Sequence, residues 1–316
     1  MVAVFTGFLD KIKTTSAGSS FFIVLAAILW STDALLRQPL TRDLSALVIV
    51  LSEHGLALIF VLPVIIAWWP TIKRLQPRQW WAILFIGLAA SALATVAFTA
   101  SFSYVSPSVS ILLQKLQPLV TFFVAWLWLG ESRPRWFWWW AALAIVGAYL
   151  ISFPELIPQL TIYSQGLKGI GLAVLAALIW GSATVAGRYL LRDLPFLLVA
   201  ALRFVVAFIF LAFLLSGQVM GSNWSEFLSI SSRDWLFLII IMLGPGWGAM
   251  YLYYRGLAAT KATVSAVLEL TWPLAAVALN WIVLDERLVW MQIIGALMLS
   301  GAISRLTIWP TKSLVN

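Results

Sequence analysis

Apolar residues run along this chain in long blocks, not in stripes. The blocks cover residues 20–36, 46–69, 80–103, 108–129, 136–153, 169–191, 197–215, 234–254, 262–284 and 289–307, with charged, Pro and Gly residues between them. Each is close to the roughly 20 residues a helix needs to cross the hydrocarbon of a bilayer. The pattern predicts an all-α integral membrane protein of ten transmembrane helices.

The blocks are not independent of one another. Residues 263–286, TVSAVLELTWPLAAVALNWIVLDE, repeat residues 108–131, SVSILLQKLQPLVTFFVAWLWLGE, at a shift of 155 positions. Pro273 falls on Pro118, Trp281 on Trp126 and Glu286 on Glu131, and such matches are harder to obtain from apolar bias than shared leucines. Likewise LAAILWS at 25–31 returns as LAALIWG at 175–181, a shift of 150 that also carries Glu53 onto Arg203. The chain therefore reads as a duplication, with repeats at 20–153 (helices 1–5) and 169–307 (helices 6–10). Residues 1–19 form a cytoplasmic segment, either a short interfacial helix built on Phe5, Phe8, Leu9 and Ile12 or a frayed tail. Residues 154–168 form an extracytoplasmic linker and 308–316 a cytoplasmic tail. A longer outer connection at about 215–233 is a linker or a small cap.

Five crossings per repeat is an odd number, so the second repeat must start from the opposite face and lie inverted. Inverted repeats are a common construction of secondary transporters, with the substrate bound near the midplane between the halves. With the N-terminus cytoplasmic, thirteen Lys and Arg residues fall inside and five outside, which puts both termini in the cytoplasm.

Composition agrees. The chain is 62% hydrophobic and 10% charged, far from the roughly 25% charged of a soluble domain. Its net charge of +8 reflects basic cytoplasmic loops, and no nucleic-acid partner is expected. The absence of Cys and the single His leave no material for disulfides, Cys-ligated clusters or His-rich metal sites. No cofactor or metal is expected, and no phosphate-cradling GxxxxGK[ST] loop is present to drive an ATP pump.

Chemistry should sit where ionisable groups interrupt the apolar blocks, since each costs at least about 2.5–3.5 kcal/mol to insert. Glu269 lies deepest, one turn before Pro273. It reads as a substrate ligand or proton carrier, or as half of a fixed ion pair with Lys115 or Arg203. Its repeat-mate is Gln114, beside Lys115. Glu53 and Arg203, also mates, can meet across the pseudo-twofold axis as a gate, a site for a zwitterion or a structural bridge. His54 is a proton relay or a hydrogen-bonded core residue. Asp33 reads as an i,i+4 partner of Arg37 at the membrane interface. Trp30 and Trp180, mates in helices 1 and 6, are candidate pocket walls. Gly244-Pro245-Gly246 can break helix 8 and free carbonyls towards a cavity, and Tyr253 beyond it is placed on the cavity side.

LAAILWS and LAALIWG, with the units PLVTFFVAWLWLGE from Pro118 to Glu131 and PLAAVALNWIVLDE from Pro273 to Glu286, resemble the drug/metabolite transporter superfamily, specifically its EamA-type members. The resemblance spans about residues 20–153 and 169–305. It implies a ten-helix fold in the cell (inner) membrane, as monomer or homodimer, and a central cavity lined by helices 3, 4, 8 and 9. It also implies alternating access and export of small polar metabolites such as amino acids. The expected activity is secondary transport of a small zwitterion, with protons as candidate coupling ion, rather than catalysis. The alternative is an intramembrane enzyme acting on a lipid or small molecule.

Overall fold

The computed structural model describes residues 16–105, 107–152, 166–217, 224–284 and 289–308. The expectations for an interfacial helix over the first residues, for the acidic pair Asp285 and Glu286, and for most of the linker and the C-terminal tail lie outside these, as does the middle of the connection near residue 220. Every regular element among the described residues is a helix.

Seven helices are long and apolar enough to cross a membrane: α1 (Gly18–Leu40), α2 (Ala46–Ala67), α3 (Pro77–Ser101), α4 (Val109–Leu129), α6 (Gly166–Leu190), α7 (Phe196–Ser216) and α8 (Ser232–Leu257). Between and after them come α5 (Arg135–Ser152), α9 (Ala262–Leu268 continued by Thr271–Leu284) and α10 (Trp290–Ile308). Their outward faces are apolar. Ile66, Trp81, Phe213 and Leu297 are each at least 70% exposed, which is stable only with hydrocarbon as the solvent.

The packing looks the same when the two halves are exchanged. α2 packs on α7 and α5 on α10, each pair being its own mate; α1 with α8 mirrors α6 with α3, and α1 with α9 mirrors α6 with α4. The α5–α10 seam is tight. A Cβ on Gly147 would lie 2.8 Å from the Gly295 carbonyl oxygen, and one on Gly295 would lie 2.6 Å from that of Gly147. Small residues let membrane helices approach to backbone contact in this way.

α1 carries a turn at Thr32, and four further helices are irregular as mates. Phe85–Leu93 of α3 and Met242–Gly246 of α8 open into π geometry. In α8 the cause is Pro245, which has no N–H to continue the ladder, flanked by glycines that tolerate the distortion. In α4 the turn Gln114–Leu116 tightens to a 3₁₀ turn, and α9 breaks at Glu269–Leu270. Here too prolines explain the break. Pro118 and Pro273 lie four residues after Gln114 and Glu269, so those two carbonyls lose their α-helical donor. Each is taken instead by the N–H three residues on, Gln117 for Gln114 and Trp272 for Glu269.

The halves are also tied by one carboxylate. α4 ends on Gly130, whose φ of 66° turns the chain back so that the Glu131 N–H reaches the Ala125 carbonyl. Glu131 then accepts the N–H groups of Ala262 and Thr263, both at 3.1 Å, and the Thr263 hydroxyl at 2.9 Å, capping α9. Arg133 lies 3.7 Å from the same carboxylate and donates to Thr263 Oγ1. Burial lowers the Arg133 pKa, with Glu131 opposing, and lowers that of Lys261, with Arg133 adding to the effect.

Candidate functional site

The π segments and proline breaks converge on one cavity of about 200 Å³. Trp30, Glu53, His54, Gln114, Lys115, Trp180, Arg203, Tyr253 and Glu269 all line it. The lining comes from α1, α2, α6 and α7 as well as from α3, α4, α8 and α9, a wider set than the four helices the resemblance implies.

Glu269 stands at the α9 break. Tyr253 donates to its Oε1 at 2.9 Å and Ser265 at 3.2 Å, while Gln117 of α4 donates to its Oε2 at 2.7 Å. Tyr253 also shares a 2.9 Å hydrogen bond with Thr184 of α6. The alternative reading of Glu269, a fixed ion pair with Lys115 or Arg203, is not formed among the described residues. Three neutral donors satisfy the carboxylate in its place.

Lys115 and Gln114 sit at the mirror-image break in α4. The Gln114 amide nitrogen donates to the carbonyls of Ala173, at 2.9 Å, and Ser110, at 3.4 Å. Lys115 Nζ lies 5.1 Å from the centre of the Trp272 ring, a cation–π contact.

Glu53 does not reach Arg203. Its partner is Arg37, whose Nη1 lies 2.7 Å from Glu53 Oε1 and whose Nη2 donates to Glu53 Oε2 at 3.1 Å. Arg37 also grips Asp33 with two 2.8 Å hydrogen bonds and donates to Thr99. The Asp33–Arg37 pair therefore forms as expected, and it is buried within the protein and joined to Glu53. α1 runs on to Leu40, and Arg37 is 4% exposed, so it is not an outer-loop charge. Arg203 instead donates through Nε to Ser91 in the π segment of α3, and through Nη1 to Tyr254 at 3.3 Å and Met250 Sδ at 3.5 Å.

His54 follows its core reading. Nδ1 donates to the Val50 carbonyl at 2.8 Å, and the ring lies 4.8 Å from that of Phe204. Trp180 donates through Nε1 to the Ala90 carbonyl at 2.9 Å, a group inside the π segment, and its ring lies 5.2 Å from that of Phe98. Trp30 lies 5.2 Å from Tyr253. Carbonyls freed towards the cavity were expected in α8; the one taken up here is in its mate, α3.

Sequence reasoning missed Gln117, Ser91, Thr184 and Trp272. Gln117 alone carried a signal, three residues after Gln114 and hence on the same helix face. The cavity's ionisable groups balance formally, with Asp33, Glu53 and Glu269 against Arg37, Lys115 and Arg203. Aromatic rings stand between them in the walls, among them Trp30, Phe98, Trp180, Tyr253 and Trp272. A neutral or internally compensated small molecule is the ligand such a chamber accepts at least cost.

Comparison with known proteins bears on this arrangement. The riboflavin transporter ImpX of Fusobacterium nucleatum subsp. nucleatum (strain ATCC 23726 / VPI 4351) is 28% identical over 299 residues, covering 91% of this chain and 97% of that one. A crystal structure 18% identical matches with a TM-score of 0.71 over 90% of this chain and 95% of the other, a likeness of fold. The EamA-like transporter family matches twice, at residues 18–153 and 167–307. With both stretches matched, the chain belongs to the EamA-like transporter family and is a multi-pass membrane transporter of a small molecule.

Proposed function

We propose that the protein is a secondary carrier of an uncharged, flat heteroaromatic metabolite of riboflavin's kind. One observation carries this reading: a cavity whose formal charges cancel and whose lining includes several indole, phenol and phenyl rings, among them Trp30, Phe98, Trp180, Tyr253 and Trp272. Such walls stack on a planar ring system at low entropic cost, while the polar side chains between them read its edges. The name of the relative, a riboflavin transporter, points the same way.

In this reading ten helices cross the cell membrane as two inverted repeats, 20–153 and 169–307, with both termini cytoplasmic. The halves rock about the cavity to expose it to each face in turn. Glu269, the carboxylate without a cationic partner, carries the coupled proton. A carrier of this design runs in the direction set by its gradients; export is the direction taken from the family resemblance. A second reading, an amino acid or related zwitterion, rests on Lys115 and Glu269 as separate, unpaired charges of opposite sign.

Counterflow in proteoliposomes separates the readings. Saturable exchange of labelled riboflavin that excess unlabelled riboflavin accelerates supports the first. Exchange of amino acids without riboflavin supports the second. Chemical conversion of the substrate without exchange would return the enzyme alternative.

A further inference from the structure

Among the described residues, two buried polar atoms in the cavity wall make neither a hydrogen bond nor an ion pair, and they belong to adjacent residues: Lys115 Nζ and Gln114 Oε1. One is a donor with no acceptor capacity, the other an acceptor with two lone pairs. Buried polar groups without partners are rare in native structures, and each calls for an explanation. The remaining groups offer none. The Gln114 nitrogen is committed to the Ala173 and Ser110 carbonyls, which leaves its oxygen as the free end. Glu269, the nearest candidate anion by sequence symmetry, makes no ion pair with Lys115 among the described residues and already accepts from Tyr253, Ser265 and Gln117. The carboxylates of Asp33 and Glu53 are engaged by Arg37.

The helix break accounts for their position. Pro118 imposes the 3₁₀ turn Gln114–Leu116, and the two consecutive side chains Gln114 and Lys115 on that turn both reach the lining of one chamber. The Trp272 ring stands beside the ammonium group.

We infer that Gln114 and Lys115 form a recognition edge for a lactam or imide group of the substrate. A ligand carbonyl accepts from Lys115 Nζ, the adjacent ligand N–H donates to Gln114 Oε1, and Trp272 stacks on the ring that carries both. This rests on the flavin reading above and adds to it which edge of the ring is read. The pyrimidine half of a flavin presents an N–H flanked by two carbonyls, so one edge supplies both missing partners. A zwitterionic amino acid would instead set its ammonium against a neutral amide oxygen, leaving the charge poorly compensated.

The test is flavin binding to the purified full-length protein, read as quenching of flavin fluorescence. The probes are riboflavin, 5-deazariboflavin, which keeps the imide edge, and N3-methylriboflavin, which blocks its N–H. Riboflavin and 5-deazariboflavin should bind alike, and N3-methylriboflavin weaker by about tenfold or more, as expected of a site built to hydrogen-bond a ligand N–H. Lys115→Met should weaken riboflavin by a similar factor yet raise the melting temperature, because it removes a buried ammonium whose one contact is the Trp272 ring, without hydrogen bond or ion pair; a structural lysine would lower it. Equal affinity for the N3-methyl analogue, or unchanged riboflavin affinity in Lys115→Met, overturns the inference and leaves the flavin reading standing. Absence of saturable binding by any of the three flavins, or displacement of riboflavin by amino acids, overturns both.

Discussion

Gln117 in the first half donates to Glu269 in the second across 2.7 Å, so this cavity carboxylate is held by an amide from the opposite repeat and not by a cation. Tyr253 and Ser265 complete its shell from its own half. Holding a carboxylate by neutral donors leaves it free to take up a proton without stranding a positive partner. The coupling role proposed for Glu269 rests on this geometry.

Replacing Glu269 by Gln should therefore abolish the pH dependence of transport. The protein should still fold, at a cost of about 1–3 kcal/mol, because one donor is left facing an amide hydrogen. Uptake into proteoliposomes with and without an imposed proton gradient measures it. Normal, gradient-driven transport by Glu269→Gln would remove Glu269 from coupling.

Arg37 is a different kind of residue, one cation shared by two buried carboxylates. Arg37→Met should be among the most damaging single changes in the protein, costing about 3–5 kcal/mol, since it strands Asp33 and Glu53 beside each other. Glu53→Gln should be much milder, because Asp33 still neutralises the guanidinium. Thermal unfolding of the detergent-purified variants, followed by size-exclusion profile, gives the order.

At the joint between halves, Glu131→Ala removes the acceptor for two α9 amides and one hydroxyl. A helix-cap loss of about 0.5–2 kcal/mol is expected. It should appear locally, as faster hydrogen exchange at the Ala262 and Thr263 amides with little change elsewhere. Glu131→Gln, which keeps one carbonyl oxygen, should fall between the variant and the parent.

The α5–α10 seam predicts steric intolerance. Gly147→Val or Gly295→Val drives a side chain into backbone already at 2.6–2.8 Å from a single added carbon. Overpacking of this kind costs about 1–3 kcal/mol or more. Loss of monodisperse protein on purification checks it, with Gly171→Ala, where an added carbon meets nothing within 4 Å, as the silent control.

Much of this was legible in the sequence because hydrocarbon is an unforgiving solvent. An ionisable residue deep in an apolar block can only face the interior, so Glu53, Lys115, Arg203 and Glu269 were bound to share a chamber or pair within the bundle. The duplication then tied Gln114 to Glu269 and Trp30 to Trp180. Partner choice was not legible, because sequence gives depth along a helix and not its rotation about its axis. Glu53 thus appeared to face Arg203, while the fold turns it to Arg37. The end of the block at residue 36 hid the arginine, since polar residues at 37 and 38 look like a loop when the helix in fact continues to Leu40. Uncharged lining residues such as Ser91 and Thr184 left no mark at all, being cheap to bury anywhere.

The meeting of Gly147 and Gly295 also limits how the molecule can move. Two backbones this close cannot close further without collision. In the rocking carrier proposed above, this seam would be the fixed spine, and the broken hydrogen-bond ladders at the prolines of α4, α8 and α9 would supply the joints.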